Sequence, residues 1–145
     1  MVVDMESYTA MQIAEYTINK CTRDGKYISN LSLQKILYYI QIHFLKKDKN
    51  PIFTDDIEAW QFGPVVPKVY YRYCGFGSSP ILLSYPDLIL DNEVKNDLNE
   101  IIEEKREINP WKLVDDTHKE NGPWETVYEK GCHNVIPLDI MLKLG

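Results

Sequence analysis

The chain has 145 residues, of which 44% are hydrophobic and 12% aromatic, enough to bury a real core within one domain and in keeping with a globular protein. Its formal net charge of −6 and pI ≈ 5.0 argue against direct nucleic-acid binding, which draws on clustered Lys and Arg, and fit a basic or neutral protein partner better. Cys21, Cys74 and Cys132 are odd in number and never form a C-x-x-C pair, so neither a disulfide framework nor a standard zinc module is expected, and a reducing cytoplasm suits them. Asp4 and Glu6 stand where a signal peptide would be basic and then apolar, and no apolar run approaches the roughly 20 residues of a membrane span. A soluble, cytoplasmic protein is the expectation.

In chain order, Ser7 or Thr9 can cap a first helix whose apolar face is Met11, Ala14, Ile18 and Cys21, ended by Asp24-Gly25. Asn30 or Ser32 can cap a second, with Leu33, Ile36, Leu37, Ile40 and Phe44 as the clearest amphipathic stripe in the chain and Lys46, Lys47 and Lys49 at its cation-favouring end. Asn50-Pro51 breaks that pattern. Residues 57–62 alternate, with Glu58, Trp60 and Phe62 on one face and Ile57, Ala59 and Gln61 on the other. This predicts a short strand, or a small β-hairpin, leading into a rigid Gly63-Pro64 corner. A helix then begins near Pro67 with Val66, Val69, Tyr70 and Tyr73 as its stripe.

Gly75 to Pro80 is a loop by composition, and the apolar stretch 81–90, cut by Pro86, reads either as a strand or as an irregular packed connection. Asp91 or Asn92 caps a third long helix with Val94, Leu98, Ile101, Ile102 and Lys105 on one side. Its acidic remainder, Asp97, Glu100, Glu103 and Glu104, is read as a solvated face. Asn109-Pro110 caps a helix over 111–118, Gly122-Pro123 stops it, and Ile136-Pro137 starts a short terminal helix. With short loops and no repeat, residues 1–145 are expected to form a single, mainly α domain with little sheet.

Catalytic templates fail on this sequence: it has no phosphate-cradling P-loop, no GxGxxG after a strand, no GxSxG and no HExxH. His118 is the most notable titratable residue, because Asp115 lies one helical turn back and an orienting carboxylate is what a histidine base requires. No nucleophile adjoins it, so a helix-end histidine that holds the loop to Trp124 by a hydrogen bond is the plainer reading. His43 lies off the main stripe of its helix, and Cys132-His133 would need metal ligands from elsewhere. Hence no metal and no cofactor is expected. Lys35 and Glu58 are placed to form an ion pair across the corner. Trp60, Trp111 and Trp124 are expected in the core, since burying each removes roughly 150–250 Å² from water, worth about 4–6 kcal/mol.

Three blocks together carry a resemblance. Leu33-Gln34-Lys35-Ile36-Leu37-Tyr38-Tyr39-Ile40-Gln41 resembles the signature helix of the SocA-like family, or Panacea domain, which includes phage-associated GepA-type proteins. Glu58-Ala59-Trp60-Gln61-Phe62-Gly63-Pro64-Val65 is similar to its E-A-W-x-x-G-P-V element, and Thr117-His118-Lys119-Glu120 with Trp124 to its T-H-x-E…W element. Asn121-Gly122-Pro123 is a slightly longer approach to that tryptophan than the family pattern. The resemblance implies a mostly helical, non-enzymatic antitoxin that binds a toxin encoded beside it. It also implies, as an alternative, a phage- or prophage-associated adaptor that delivers a partner to a AAA+ protease. An enzyme using His118 with Glu58 or Asp115 is the remaining reading. Lys35, Tyr39, Glu58, Trp60, Pro64, Val65 and His118 are the partner-binding candidates. The acidic balance would suit a basic toxin surface and speed encounter with it.

Overall fold

One helix, α2 (Asn30–Asp48), is enclosed on almost every side, and the other elements are arranged as its walls. In the computed structural model, which describes residues 7–145, Leu33, Ile36, Leu37, Ile40 and Phe44 of this helix are buried as the sequence pattern requires. So are Ser32, Gln34, Lys35, Tyr38, Gln41, Ile42 and Leu45. The expected amphipathic stripe is therefore a correction: α2 is a central helix, not a surface one. Its buried amides are tolerated because each meets backbone of a following segment. The Gln41 carbonyl accepts from Ile52 N (3.0 Å) while its amide donates to Phe53 O (2.8 Å), pinning the chain beyond the helix onto its flank. Asp4 and Glu6, on which the signal-peptide argument rests, lie outside the described residues.

The cap of α2 also differs from expectation. Ser29 accepts from Ser32 N (3.3 Å), while Asn30 is already helical and its amide donates to Tyr70 O (3.1 Å). Asn30 is drawn inward because a buried amide can tie two elements together, whereas a cap needs only one short acceptor. Preceding it, α1 (Ala10–Arg23) carries a Thr9–Gln12 capping box, buries Ala10, Ile13, Ala14, Ile18 and Cys21, and ends at Asp24 with Gly25 at φ +68°. Met11, expected inside, is half-buried; Ile13 takes the inner position.

After α2 the chain forms a hairpin of β1 (Glu58–Trp60) and β2 (Gly63–Val65), antiparallel with Ala59 opposite Pro64 and Trp60 opposite Gly63. The reversal is made by Gln61 and Phe62, so Gly63-Pro64 lies inside the second strand and not at the corner. Pro64 is accepted there because Ala59 N–H turns the other way and donates to Asn134 O at 2.7 Å. Ile136 N donates to Ile57 O (2.8 Å), so the segment before the last helix flanks the outer edge of β1.

From there α3 (Pro67–Tyr73) starts on its proline and buries Val69 and Tyr73, with Tyr70 half-buried. Residues 81–90 hold no regular structure. They are fastened to the core by Ile81 N to Ile28 O (2.9 Å), Thr22 Oγ1 to Leu83 O (2.8 Å) and Tyr85 N to Asn19 Oδ1 (3.1 Å), the irregular connection of the two readings. Asp91 caps α4 (Asn92–Lys105), which buries Leu98, Ile101 and Ile102. Its acidic face is divided: Asp97 meets Lys47 at 2.5 Å and Glu103 meets Lys20 at 2.9 Å, whereas Glu100 and Glu104 face solvent.

Asn109 caps α5 (Pro110–Thr117), and α7 (Leu138–Leu144) closes the chain. Gly122 and Pro123 do more than stop a helix, being the N-cap and first residue of α6 (Pro123–Val127). Among the described residues, seven α-helices and one two-stranded sheet make a mainly α fold. No helix among them is long and apolar enough to cross a membrane.

Candidate functional site

Residues from three distant stretches of sequence meet where β2 crosses α2 and α5. Gln34 accepts from Val66 N (2.9 Å) and donates to Asn30 Oδ1 (2.9 Å), while the neighbouring Lys35 sends its ammonium to Pro64 O at 3.0 Å. Two consecutive side chains of α2 thus hold both ends of the Pro64–Val66 segment. Gly63 completes the crossing: its φ is +107°, and a Cβ there would lie 2.7 Å from Thr117 Oγ1 and 2.9 Å from Lys35 Cε. Only glycine provides both the backbone angle and the space. Thr117 turns its hydroxyl back to Val114 O (2.7 Å), leaving its oxygen against the glycine.

Above this crossing lies an aromatic layer. His118, the C-cap of α5, stacks on Trp124 at 3.6 Å and 7°, and Trp124 stacks in turn on Tyr128 at 4.4 Å. Trp124 Nε1 donates to Trp60 O (2.7 Å), so α6 is tied to the hairpin. Trp60 itself lies flat against His133 at 4.2 Å, meets Tyr70 edge-on at 5.0 Å, and donates its Nε1 to Glu58 Oε1 at 2.9 Å.

Burial governs the ionisable groups. Lys35 is 0% exposed, and loss of hydration pushes its pKa down to about 7, so its charge is marginal at neutral pH. His118 is held below its ordinary value, first by burial and then by the Lys35 charge, with Asp115 opposing weakly. Its Nε2 is buried and has no hydrogen-bond partner among the described residues.

These placements correct several expectations. Lys35 makes no ion pair with Glu58, because the carboxylate is taken by the Trp60 indole and the ammonium by Pro64 O. His118 donates no side-chain hydrogen bond to Asp115 and accepts none from Trp124, whose indole N–H goes to Trp60 O; only its backbone N–H reaches Asp115 O, and the ring is held by stacking. Trp111 is not in the core but 56% exposed, while Trp60 and Trp124 are half-buried. The inner face of α5 is set by Leu113, Val114 and Thr117, and helical geometry turns Trp111 away from it.

Of the partner-binding candidates, Lys35, Pro64 and Val65 are buried, so no partner can touch their side chains without opening the fold. Tyr39, Glu58, Trp60 and His118 are half-buried. Tyr39 lies one turn beyond Lys35 with Lys105 Nζ 4.1 Å above its ring, and burial lifts its hydroxyl pKa to about 12. Beyond the candidates, Phe62 at the hairpin tip meets Trp111 edge-on at 5.3 Å. Sequence periodicity could have placed Trp111 outside; the contact with Phe62 had no local signal.

The chain matches the family model for "Antitoxin SocA-like, Panacea domain" over residues 33–125, a span holding all three converging stretches. The chain belongs to this antitoxin family. It is also similar to Antitoxin SocA of Caulobacter vibrioides (strain NA1000 / CB15N), with 31% identity over 136 residues, covering 86% of this chain and 72% of the relative. No solved structure matches it. The SocA-like match begins at Leu33 of α2 and ends at Glu125 of α6, so the crossing and the His118, Trp124, Trp60 and Tyr70 rings fall inside it, whereas Tyr128, His133, α1 and α7 fall outside.

Proposed function

We propose that this protein is a cytoplasmic antitoxin that neutralises a cognate protein toxin by direct binding, without enzymatic turnover. Membership of the SocA-like antitoxin family is the observation that carries the reading. In this account Lys35, Pro64 and Val65 act as the frame that fixes the hairpin, and Glu58, Trp60, Tyr39 and His118 are the candidates that reach the surface from it. An excess of 22 acidic over 16 basic residues favours a basic toxin surface.

The test is co-expression with the product of the adjacent open reading frame. A toxic product whose growth arrest is relieved by this protein, with the two recovered as a complex, is the expected result; unrelieved arrest, or relief with no complex, contradicts it. The same cultures separate direct neutralisation from adaptor action. An adaptor to a AAA+ protease shortens the partner's half-life, whereas simple binding leaves it unchanged.

A further inference from the structure

Single exposed apolar side chains are ordinary, but aromatic rings that face water side by side make a contiguous apolar area that a partner can cover. Phe62 and Trp111 are 47% and 56% exposed and lie against each other, one from the hairpin tip and the other from the first turn of α5. Two elements far apart in sequence thus present one aromatic pair. Its support is rigid: the hairpin is held by Lys35 and Gln34 from below, and α5 is locked against Gly63 through Thr117.

The charges beside the pair specify what would cover it. Asp115 stands four residues after Trp111, on the same face of α5, and is exposed. The nearest cation on the helix, Lys112, is engaged by Asp116, and no ion pair reaches Asp115 among the described residues. An indole face with a carboxylate beside it that no ion pair holds fits a guanidinium, which can stack on the ring while its N–H groups bond the carboxylate.

We infer that Phe62, Trp111 and Asp115 form the anchor for a basic protein partner, which seats an arginine side chain over Trp111 and against Asp115. This rests on the antitoxin reading and deepens it by naming the partner's surface chemistry. All three side chains are exposed, so they can be changed with little effect on the buried frame.

The experiment is titration calorimetry of the purified product of the adjacent open reading frame into wild type and into W111A, F62A and D115N, at low and high salt. Thermal unfolding of each variant is measured alongside. The inference predicts binding about 30-fold weaker or worse for W111A and about 10-fold weaker for F62A, with unfolding temperatures close to wild type. D115N should bind about 5-fold more weakly and with a shallower salt dependence than wild type. Wild-type affinity in both W111A and F62A overturns the anchor while leaving the antitoxin reading intact. Loss of binding in W111A with D115N unchanged at every salt concentration overturns the arginine and points to an apolar partner surface. A wild-type dimer that W111A dissociates makes a second copy of the chain the occupant and overturns the inference as well. Failure of wild type to bind the product at all removes the antitoxin reading itself.

Discussion

The crossing beneath the hairpin and the aromatic pair at its tip lie a few residues apart in sequence and are built on opposite principles. At the crossing, Lys35, Gly63, Pro64 and Thr117 are buried and packed so closely that no Cβ fits at Gly63. At the tip, Phe62 and Trp111 are half in water and touch only at a ring edge. Much of the residue pattern that identifies the family lies in the first region, where it fixes geometry. The second has the freedom to suit a particular partner. The difference teaches that a recognisable motif can fix internal geometry, and on the proposed reading the contact surface would lie beside the motif.

Substitutions should separate the regions sharply. Gly63→Ala forces a left-handed backbone angle on a residue with a Cβ and drives that Cβ into Thr117 and Lys35. The expected loss is about 3 kcal/mol of unfolding free energy, read by urea denaturation. A loss below about 1 kcal/mol would mean that the crossing yields easily and is no frame.

The second contrast is in pH. Because the pKa of folded Lys35 is lowered from 10.5 to about 7, the folded chain holds fewer protons than the unfolded chain between those values. Stability therefore rises with pH through that window, by up to about 1.4 kcal/mol per unit, and this contribution is lost as pH falls to about 7. His118 is shifted in the same direction, so it adds a rising slope just below its ordinary 6.5. Lys35→Met should flatten the alkaline limb; an equal slope in wild type and variant would show that Lys35 is not the group responsible.

Smaller effects follow at the aromatic layer and then at the tip. Trp124→Phe keeps a ring on His118 but removes the donor to Trp60 O, and should cost about 1–2 kcal/mol by denaturant titration. His118→Gln should lower stability and neutralisation together, because the histidine is held by stacking; lost function at unchanged stability would instead mark it as a direct partner contact or a chemical group. Trp111→Ala should change stability by less than about 0.5 kcal/mol, the usual range for an exposed site.

Much of this fold was legible because helix ends and apolar periods are local signals. Thr9, Asp91 and Asn109 cap as their residue types predict, and Pro67 and Pro110 begin helices. What could not be read depends on partners distant in sequence. The enclosure of α2 follows from Gln34 meeting Val66 and Gln41 meeting Phe53, contacts that make polar positions suitable for the interior. Nothing near Lys35 foretells that its ammonium ends on Pro64 O. Sequence composition puts the corner at Gly63-Pro64, whereas here the glycine serves close approach and the proline sits opposite an amide that points away. At the site the aromatic blocks were legible as a set, but which of them reach solvent was decided by packing. Trp111 is the exception, since the phase of Leu113, Val114 and Thr117 already turns it outward.

Amide hydrogen exchange on the protein alone and in complex with the product of the adjacent open reading frame tests the division between frame and surface most directly. The account predicts new protection at the hairpin turn, residues 60–62, and along the first turns of α5, with exchange in the middle of α2 unchanged. Protection confined to other surfaces, or a change in the middle of α2 with none at the hairpin tip, would contradict it.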